Sequence, residues 1–444
     1  MRTALRAVFR LVLRIFFRRI EVSGAALVPV SGPVMFVLNH PNGLIDPAFL
    51  VCFSPRRVSF LAKAPLFRMP VIGWLCRRLE AIPVYRQQDE GSDPAQNQET
   101  FETARRVLQH GGAIAIFPEG TSHDDPLLRP MKTGAARIAL GGSSGERLRI
   151  VPAILYYRAK QTFRSAALLC FGEPLDVEPL ADPLPPGAEP PAEPVRRLTE
   201  RIREALARLV PQVERAEAQA LYARAQQIVQ VAEEPPREPS RLSDELDLRR
   251  RIATGARVVR ARWPDRYTAL ESRIVRYETT LKAAGLDAHH VTPLSYTTTR
   301  VAKYVLQSAL VFLLLLPAAL AGAIVHYPAY RITGYVATGM AKGEEAALAS
   351  VKVLAAMLLY PVTWALVAGA VWVRIGPRAA VVTLVMLPLA GFGSLLLFER
   401  ADRLIGRAKA MRVLLLRKQA FLRLVAERKA IRRDILEIGK GIDG

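Results

Sequence analysis

The chain has 444 residues, with 62 Lys and Arg against 40 Asp and Glu for a formal charge of +22, and 51% of it is hydrophobic. That apolar share excludes a disordered basic tail protein, which lacks the residues needed to offset conformational entropy. Three widely separated cysteines, Cys52, Cys76 and Cys170, argue against a disulfide framework or a zinc cluster and fit a reducing compartment. So large a positive charge points to nucleic acid or to an anionic membrane.

Arg2, Arg6, Arg10, Arg14 and Arg18 recur every four residues at the start of the chain, with apolar residues between them. At about 100° per residue this spacing lays one basic stripe beside one apolar face. The pattern predicts a membrane-surface helix over 1–19; a helix packed on a core with a solvated Arg face is the alternative. The Arg repeat interrupts the apolar core that a signal peptide needs.

From residue 20 to about 172, short β-rich runs alternate with helical patterns. The runs are Val34–Leu38, Val58–Leu61, Ala81–Tyr85, Ala113–Phe117, Ile150–Leu155 and Ala166–Phe171; Phe67–Leu79 and Gln98–His110 are helical stretches between them. Such alternation predicts an α/β domain with a substantially parallel sheet and functional residues at strand ends. Residues 176–194, rich in Pro and acid, form a linker or a surface-clamped loop. A charged helical region follows over 195–300.

Three uncharged runs then occupy 304–325, 353–373 and 379–398 within a membrane region, 301–398. Each holds about the 20 residues that a bilayer core requires of a helix. The tail, 399–444, carries 13 basic and 6 acidic residues. The positive-inside tendency then favours both basic ends on one side and an even number of crossings. The expected arrangement is a hairpin over 353–398 turning at Arg374–Arg378, with 304–325 re-entrant or confined to one leaflet around Pro317. Residues 1–20 hold six basic groups. With the tail they concentrate the charge in segments interleaved with apolar residues, which favours an anionic leaflet over nucleic acid as the partner.

The densest chemistry follows the strand PVMFVL, in Asn39-His40-Pro41-Asn42-Gly43-Leu44-Ile45-Asp46-Pro47. A histidine at a strand end with a nearby aspartate can act as a general base, the carboxylate fixing its tautomer and stabilising the imidazolium. On spacing alone either residue could instead be a turn former or a helix cap. Further along, Ala81-Ile82-Pro83-Val84-Tyr85-Arg86 ends a run on arginine, Phe117-Pro118-Glu119-Gly120-Thr121 ends another on a turn, and Arg129-Pro130-Met131-Lys132-Thr133-Gly134 opens a helix before Ile150-Val151-Pro152-Ala153.

In this order, over about residues 20–175, these stretches resemble the glycerolipid acyltransferase superfamily, which includes glycerol-3-phosphate and 1-acylglycerol-3-phosphate acyltransferases. The resemblance implies an α/β acyltransferase domain over 20–175, with a C-terminal α-helical membrane region. It implies His40 as catalytic base, Asp46 as its partner, Arg86 towards the substrate phosphate, and Glu119, Gly120 and Thr121 as the glycerol-phosphate turn. Lys132 is either a second cation at that turn or a solvated residue at a helix start. Five residues separate His40 from Asp46, where the family usually has four; this longer form is similar to a branch containing glycerol-3-phosphate and dihydroxyacetone-phosphate acyltransferases.

The expected protein is a membrane-bound O-acyltransferase of phospholipid synthesis on a bacterial cytoplasmic membrane, its catalytic domain facing the cytoplasm. It takes acyl-CoA or acyl carrier protein as donor and a glycerol-phosphate acceptor, and needs no cofactor or metal. A lysophospholipid acceptor, or an inactive membrane scaffold, are the alternatives. The helices around Phe49–Phe53 and Phe67–Leu75 are candidates to line an acyl slot. Gly141-Gly142-Ser143-Ser144-Gly145 has the spacing of a nucleophile elbow but follows a helical stretch instead of a strand, so it is expected to be a loop. His123-Asp124-Asp125 is expected in a solvated loop, and His289-His290 has no partner motif.

Overall fold

A computed structural model describes the chain apart from residue 1 and positions 86–95, 124, 126, 143–146, 160–161, 181, 183, 186, 211–215, 231–240, 287–297, 342–344, 417 and 441–444. Ser143, Ser144, His289 and His290 therefore lie outside the described residues. The chain forms two compact units: one of residues 1–214, 241–246 and 343–350, the other of 215–240, 247–342 and 351–444.

In the first unit, helix α1 (Arg2–Phe16) leads into strand β1 (Phe17–Ser23), followed by β2 (Val34–Leu38), α2 (Ile45–Phe53), β3 (Val58–Lys63), α3 (Ala64–Arg68), α4 (Pro70–Arg78), β4 (Ile82–Val84), α5 (Gln96–Gln109), β5 (Ala113–Ile116), α6 (Gly134–Gly142), β6 (Arg149–Tyr157), β7 (Ser165–Phe171), β8 (Leu175–Asp176) and α7 (Ala192–Leu209). The strands make one sheet in the order β1-β7-β6-β2-β5-β3-β4, with β8 beside β6. Among the described strands five pairings are parallel and two, β6 with β7 and with β8, antiparallel. The α/β, substantially parallel expectation holds, and each of the six apolar runs overlaps a strand.

Strand parity divides the core. Ile150, Ile154 and Tyr156 of β6 pack with Ala104 and Leu108 of α5, Ile138 of α6 and Leu198, Ile202 and Leu206 of α7. The other parity carries Tyr157, whose ring stacks on Phe17 at 5.4 Å and meets Phe49 of α2 edge-on. Phe49 is thereby wedged into the core, in contact with Phe17 and Phe53 as well, and is not free to line an acyl slot. The Pro-rich segment after β8 is clamped to this unit, with Gln98 donating to the Gly187 carbonyl and Arg137 paired with Glu189.

The arginine repeat departs from expectation. Arg18 belongs to β1, whose Phe-Arg-Arg-Ile-Glu-Val-Ser alternation pairs with β7. Arg6 and Arg10 donate to the Cys52 carbonyl and Arg6 also to that of Ser54, neutralising the carboxyl end of α2. Val8, Leu11 and Ile15 are the exposed face of α1. The helix thus offers apolar side chains outward and spends part of its charge within the fold.

The second unit holds α8 (Ala216–Gln230), most of α9 (Leu242–Arg262), α10 (Pro264–Ala283), α11 (Thr298–Ala341), most of α12 (Glu345–Arg374), α13 (Pro377–Leu416) and α14 (Lys418–Lys440). Three helical stretches are long and apolar enough to cross a membrane: Phe312–Met340, Ser350–Arg374 and Pro377–Ala401. The first differs from a re-entrant segment, because α11 runs through Pro317 and Pro328 without reversing. Helices α11 and α13 approach closely: a Cβ on Gly322 would sit 2.3 Å from the Ala390 carbonyl oxygen. Ser394 Oγ donates to the Ala319 carbonyl at 2.6 Å, and Trp364 Nε1 donates to His326 Nε2 at 2.8 Å, the small-residue and polar contacts that join helices in lipid. The tail helix α14 buries Phe421, Leu424, Ile431 and Ile435, and its Glu427 and Asp434 pair with Arg273 of α10. Its apolar stripe is occupied by protein.

Candidate active site

Strands β2, β5 and β6 are neighbours and run parallel, so the loops leaving their carboxyl ends converge, as at ligand sites of α/β sheets. His40 follows β2, Glu119 follows β5, and Tyr157 closes β6. Asn39 anchors the start of the β2 loop, its amide donating to the Leu155 carbonyl at 3.1 Å and accepting from the Leu155 N–H at 2.8 Å. His40 next to it stacks face to face on Phe117, with ring centroids 4.0 Å apart. The ring is therefore fixed by a strand on one side and an aromatic face on the other.

His40 Nδ1 lies 2.8 Å from Asp46 Oδ2. The carboxylate also accepts from the Asn42 N–H at 2.7 Å and, through Oδ1, from the Tyr157 hydroxyl at 2.7 Å. Three donors converge on Asp46, which is fully buried in the first turn of α2, and the helix N-terminus adds its own favourable field. Because the carboxylate accepts, Nδ1 carries the imidazole proton and Nε2 presents a lone pair. Burial pushes the Asp46 carboxyl above its ordinary range, opposed by the bonds from His40, Tyr157 and Asn42. Burial and the Asp46 charge also raise the Tyr157 phenol well above its usual value, so it remains a donor at neutral pH.

Five intervening residues are accommodated because Asn42 turns back on Asp46 with both backbone groups, its carbonyl accepting the Asp46 N–H at 3.1 Å. Sequence alone marks Asn42-Gly43 as a turn and does not distinguish Tyr157 from Tyr156. Strand parity distinguishes them, since Tyr156 shares the face of Ile150 and Ile154.

The turn after β5 is tied to the His40 loop by the His123 N–H donating to the His40 carbonyl at 3.1 Å. His123 is not solvated as expected: its side chain is largely buried and its Nε2 donates to Glu119 Oε2. That oxygen also accepts the Arg129 N–H at 2.7 Å, while buried Oε1 has no partner within the described chain. A buried acceptor without a donor costs stability unless a ligand completes it. Gly120 holds φ +73°, and a Cβ there would come within 3.0 Å of Lys132 Nζ. The turn thus requires glycine, and the exposed Lys132 side chain lies across it. Thr121 lies in the same turn, its hydroxyl donating to the Ser122 carbonyl at 3.3 Å. Arg86 is two residues past β4 and lies outside the described residues. Among the described residues no cluster of three metal-ligating side chains occurs.

A buried carboxylate–imidazole pair beside a turn with an open acceptor can serve general-base chemistry. Residues 19–156 match a family model described as Acyltransferase, and 233–442 match one described as Glycerol-3-phosphate acyltransferase 2 C-terminal domain. An uncharacterized acyltransferase of Schizosaccharomyces pombe is 26% identical, aligned over 80% of this chain and 66% of its own. Glycerol-3-phosphate O-acyltransferase 1 of Saccharomyces cerevisiae is 28% identical over 36% of this chain and 33% of its own. A 1-acyl-sn-glycerol-3-phosphate acyltransferase of Bacillus subtilis is 28% identical over 35% and 73%. The chain belongs to the glycerolipid acyltransferase superfamily. It spans about two thirds of the first of these relatives and a third of the second.

Proposed function

We propose that the protein is a membrane-bound O-acyltransferase that moves a fatty acyl chain from an acyl thioester, acyl-CoA or acyl carrier protein, to a glycerol-phosphate acceptor, with glycerol-3-phosphate ahead of 1-acylglycerol-3-phosphate. The observation that carries it is the His40–Asp46 pair at the end of β2, with Nε2 left to the reactants. The match of 233–442 to a glycerol-3-phosphate acyltransferase C-terminal model supports the choice of acceptor.

In the proposed step His40 Nε2 takes the acceptor hydroxyl proton as that oxygen attacks the thioester carbonyl carbon. The tetrahedral adduct collapses, the carbon–sulfur bond breaks, and the thiolate leaves with the proton returned from the imidazolium. Ester and free thiol are the products, with no acyl-enzyme. Asp46 stabilises the transient imidazolium. Lys132, with Arg86, holds the acceptor phosphate, and Glu119 Oε1 accepts from a glycerol hydroxyl. Gly120 and Thr121 shape that turn, and fixed orientation of the acceptor supplies the proximity contribution. Arg86→Ala should therefore raise KM for the acceptor far more than it lowers kcat, and saturating acceptor should restore most of the rate. A kcat loss that persists at saturation removes Arg86 from a binding role.

The feature that favours an inactive scaffold, the five-residue spacing, loses weight because the His–Asp pair forms at hydrogen-bonding distance. A purified sample given acyl-CoA and a panel of glycerol-3-phosphate, 1-acylglycerol-3-phosphate and a lysophospholipid tests the acceptor. Mass spectrometry should find 1-acylglycerol-3-phosphate as the main product. A diacyl phospholipid alone would move the assignment to the lysophospholipid alternative, and no product with any acceptor would leave the scaffold.

A further inference from the structure

The turn that carries Asp46 is held by a residue more than 300 positions away. Asn42 is fully buried between β2 and α2, and α2 has no side-chain cap of its own at Leu44. Ser350 Oγ accepts the Leu44 N–H at 2.9 Å and donates to Asn42 Oδ1 at 3.4 Å. Ser350 is 3% exposed and belongs, with residues 343–349, to the same compact unit as His40. It also opens the apolar stretch Ser350–Arg374. A helical serine ordinarily donates to a carbonyl one turn back; this one turns its proton to Asn42.

The bonds form a connected path. Ser350 fixes both ends of the segment Asn42–Leu44, the Asn42 N–H donates to Asp46 Oδ2, and the same oxygen accepts the hydrogen bond from His40 Nδ1. Asn42 Nδ2 is buried with no partner within the described chain, so the side chain is held through its oxygen alone. Removing the Ser350 hydroxyl would orphan the Leu44 N–H and release Asn42 together, and buried backbone donors tolerate that poorly.

We propose that Ser350 is a positioning residue for the His40–Asp46 pair, supplied from the part of the chain that matches the C-terminal family model rather than from the acyltransferase model itself. This rests on the acyltransferase function proposed above. It follows that residues 19–156 alone lack one support of their own catalytic loop.

The test uses the full chain in its membrane or in detergent, with Ser350→Ala read in two ways. Hydrogen–deuterium exchange should rise over residues 39–48, where the Leu44 N–H is freed, while β5 at 113–116 stays protected. Unchanged exchange over 39–48, or an increase that spreads to β5, overturns the proposal. In kinetics the variant should lose roughly tenfold in kcat, the size of one net hydrogen-bond contribution, with KM for both substrates within about twofold. In an Asp46→Asn background the same substitution should cost almost nothing further, because its effect runs through Asp46. A full additional loss in that background overturns the positioning role. If the wild-type chain shows no His40-dependent transfer, the function fails instead, and the exchange measurement still decides whether Ser350 holds the loop.

Discussion

Replacing His40 with alanine should lower acyl transfer by about 10²- to 10⁴-fold, the usual contribution of a positioned general base. The loss should fall on kcat, because the groups proposed to hold the acceptor, Glu119, Lys132 and Arg86, are untouched. Steady-state rates over a range of acceptor concentrations check this. Near-normal transfer by the variant would mean that the proton leaves by another route. His40→Gln separates chemistry from packing, since an amide retains a donor towards Asp46 but is not a base at neutral pH. It should be as inactive as His40→Ala while preserving more of the fold.

Asp46→Asn should separate activity from stability. The amide can keep its oxygen towards the Asn42 N–H and His40 Nδ1 and turn its NH₂ to Tyr157, whose hydroxyl can rotate to accept. Geometry therefore survives and the charge is lost. Without the carboxylate the imidazolium loses its partner, and transfer should fall by about 10³- to 10⁴-fold, as in triads whose aspartate becomes asparagine. Stability should move the other way. Burial raises the Asp46 pKa in the folded state, so between the unfolded and folded values the native state binds more protons. Stability from this group falls as pH rises through that window, and above it the ionised group is a net cost. Removing the charge should leave the thermal midpoint unchanged or raised. A midpoint several degrees lower would show that the carboxylate network is a stabilising element instead.

Much of the first unit is legible in its sequence because a sheet buried on both faces writes its central strands as continuous apolar runs. Val34–Leu38 and Ile150–Leu155 are apolar throughout, and both became central strands buried on two faces. β1 was hidden because Arg18 extends the four-residue repeat of α1 by coincidence, while Phe17, Ile20 and Val22 already belong to a pleated strand. The arginine stripe shows a second limit: periodicity identifies a face but not what covers it, and Arg6 and Arg10 found carbonyls at the end of α2. His40 and Asp46 are legible as a pair because they lie in one loop. Tyr157 and Ser350 are not, since each reaches the loop only through tertiary folding, across 111 residues from Asp46 and 306 from Leu44. His123 could not be distinguished from a solvated loop histidine until Glu119 was seen beside it.

Three helical stretches have the length and composition to cross, so α11 is no longer set apart by a break at Pro317. A crossing by all three would put the ends of the chain on opposite sides, against the distribution of basic residues.

The central claim is direct transfer with His40 as base, and rapid-quench measurement of thiol release from acyl-CoA tests it most directly. With wild-type protein, release should require glycerol-3-phosphate, show no burst in its absence, and disappear in His40→Ala. A burst approaching one thiol per chain without acceptor, or acceptor-dependent release that persists in His40→Ala, would contradict it.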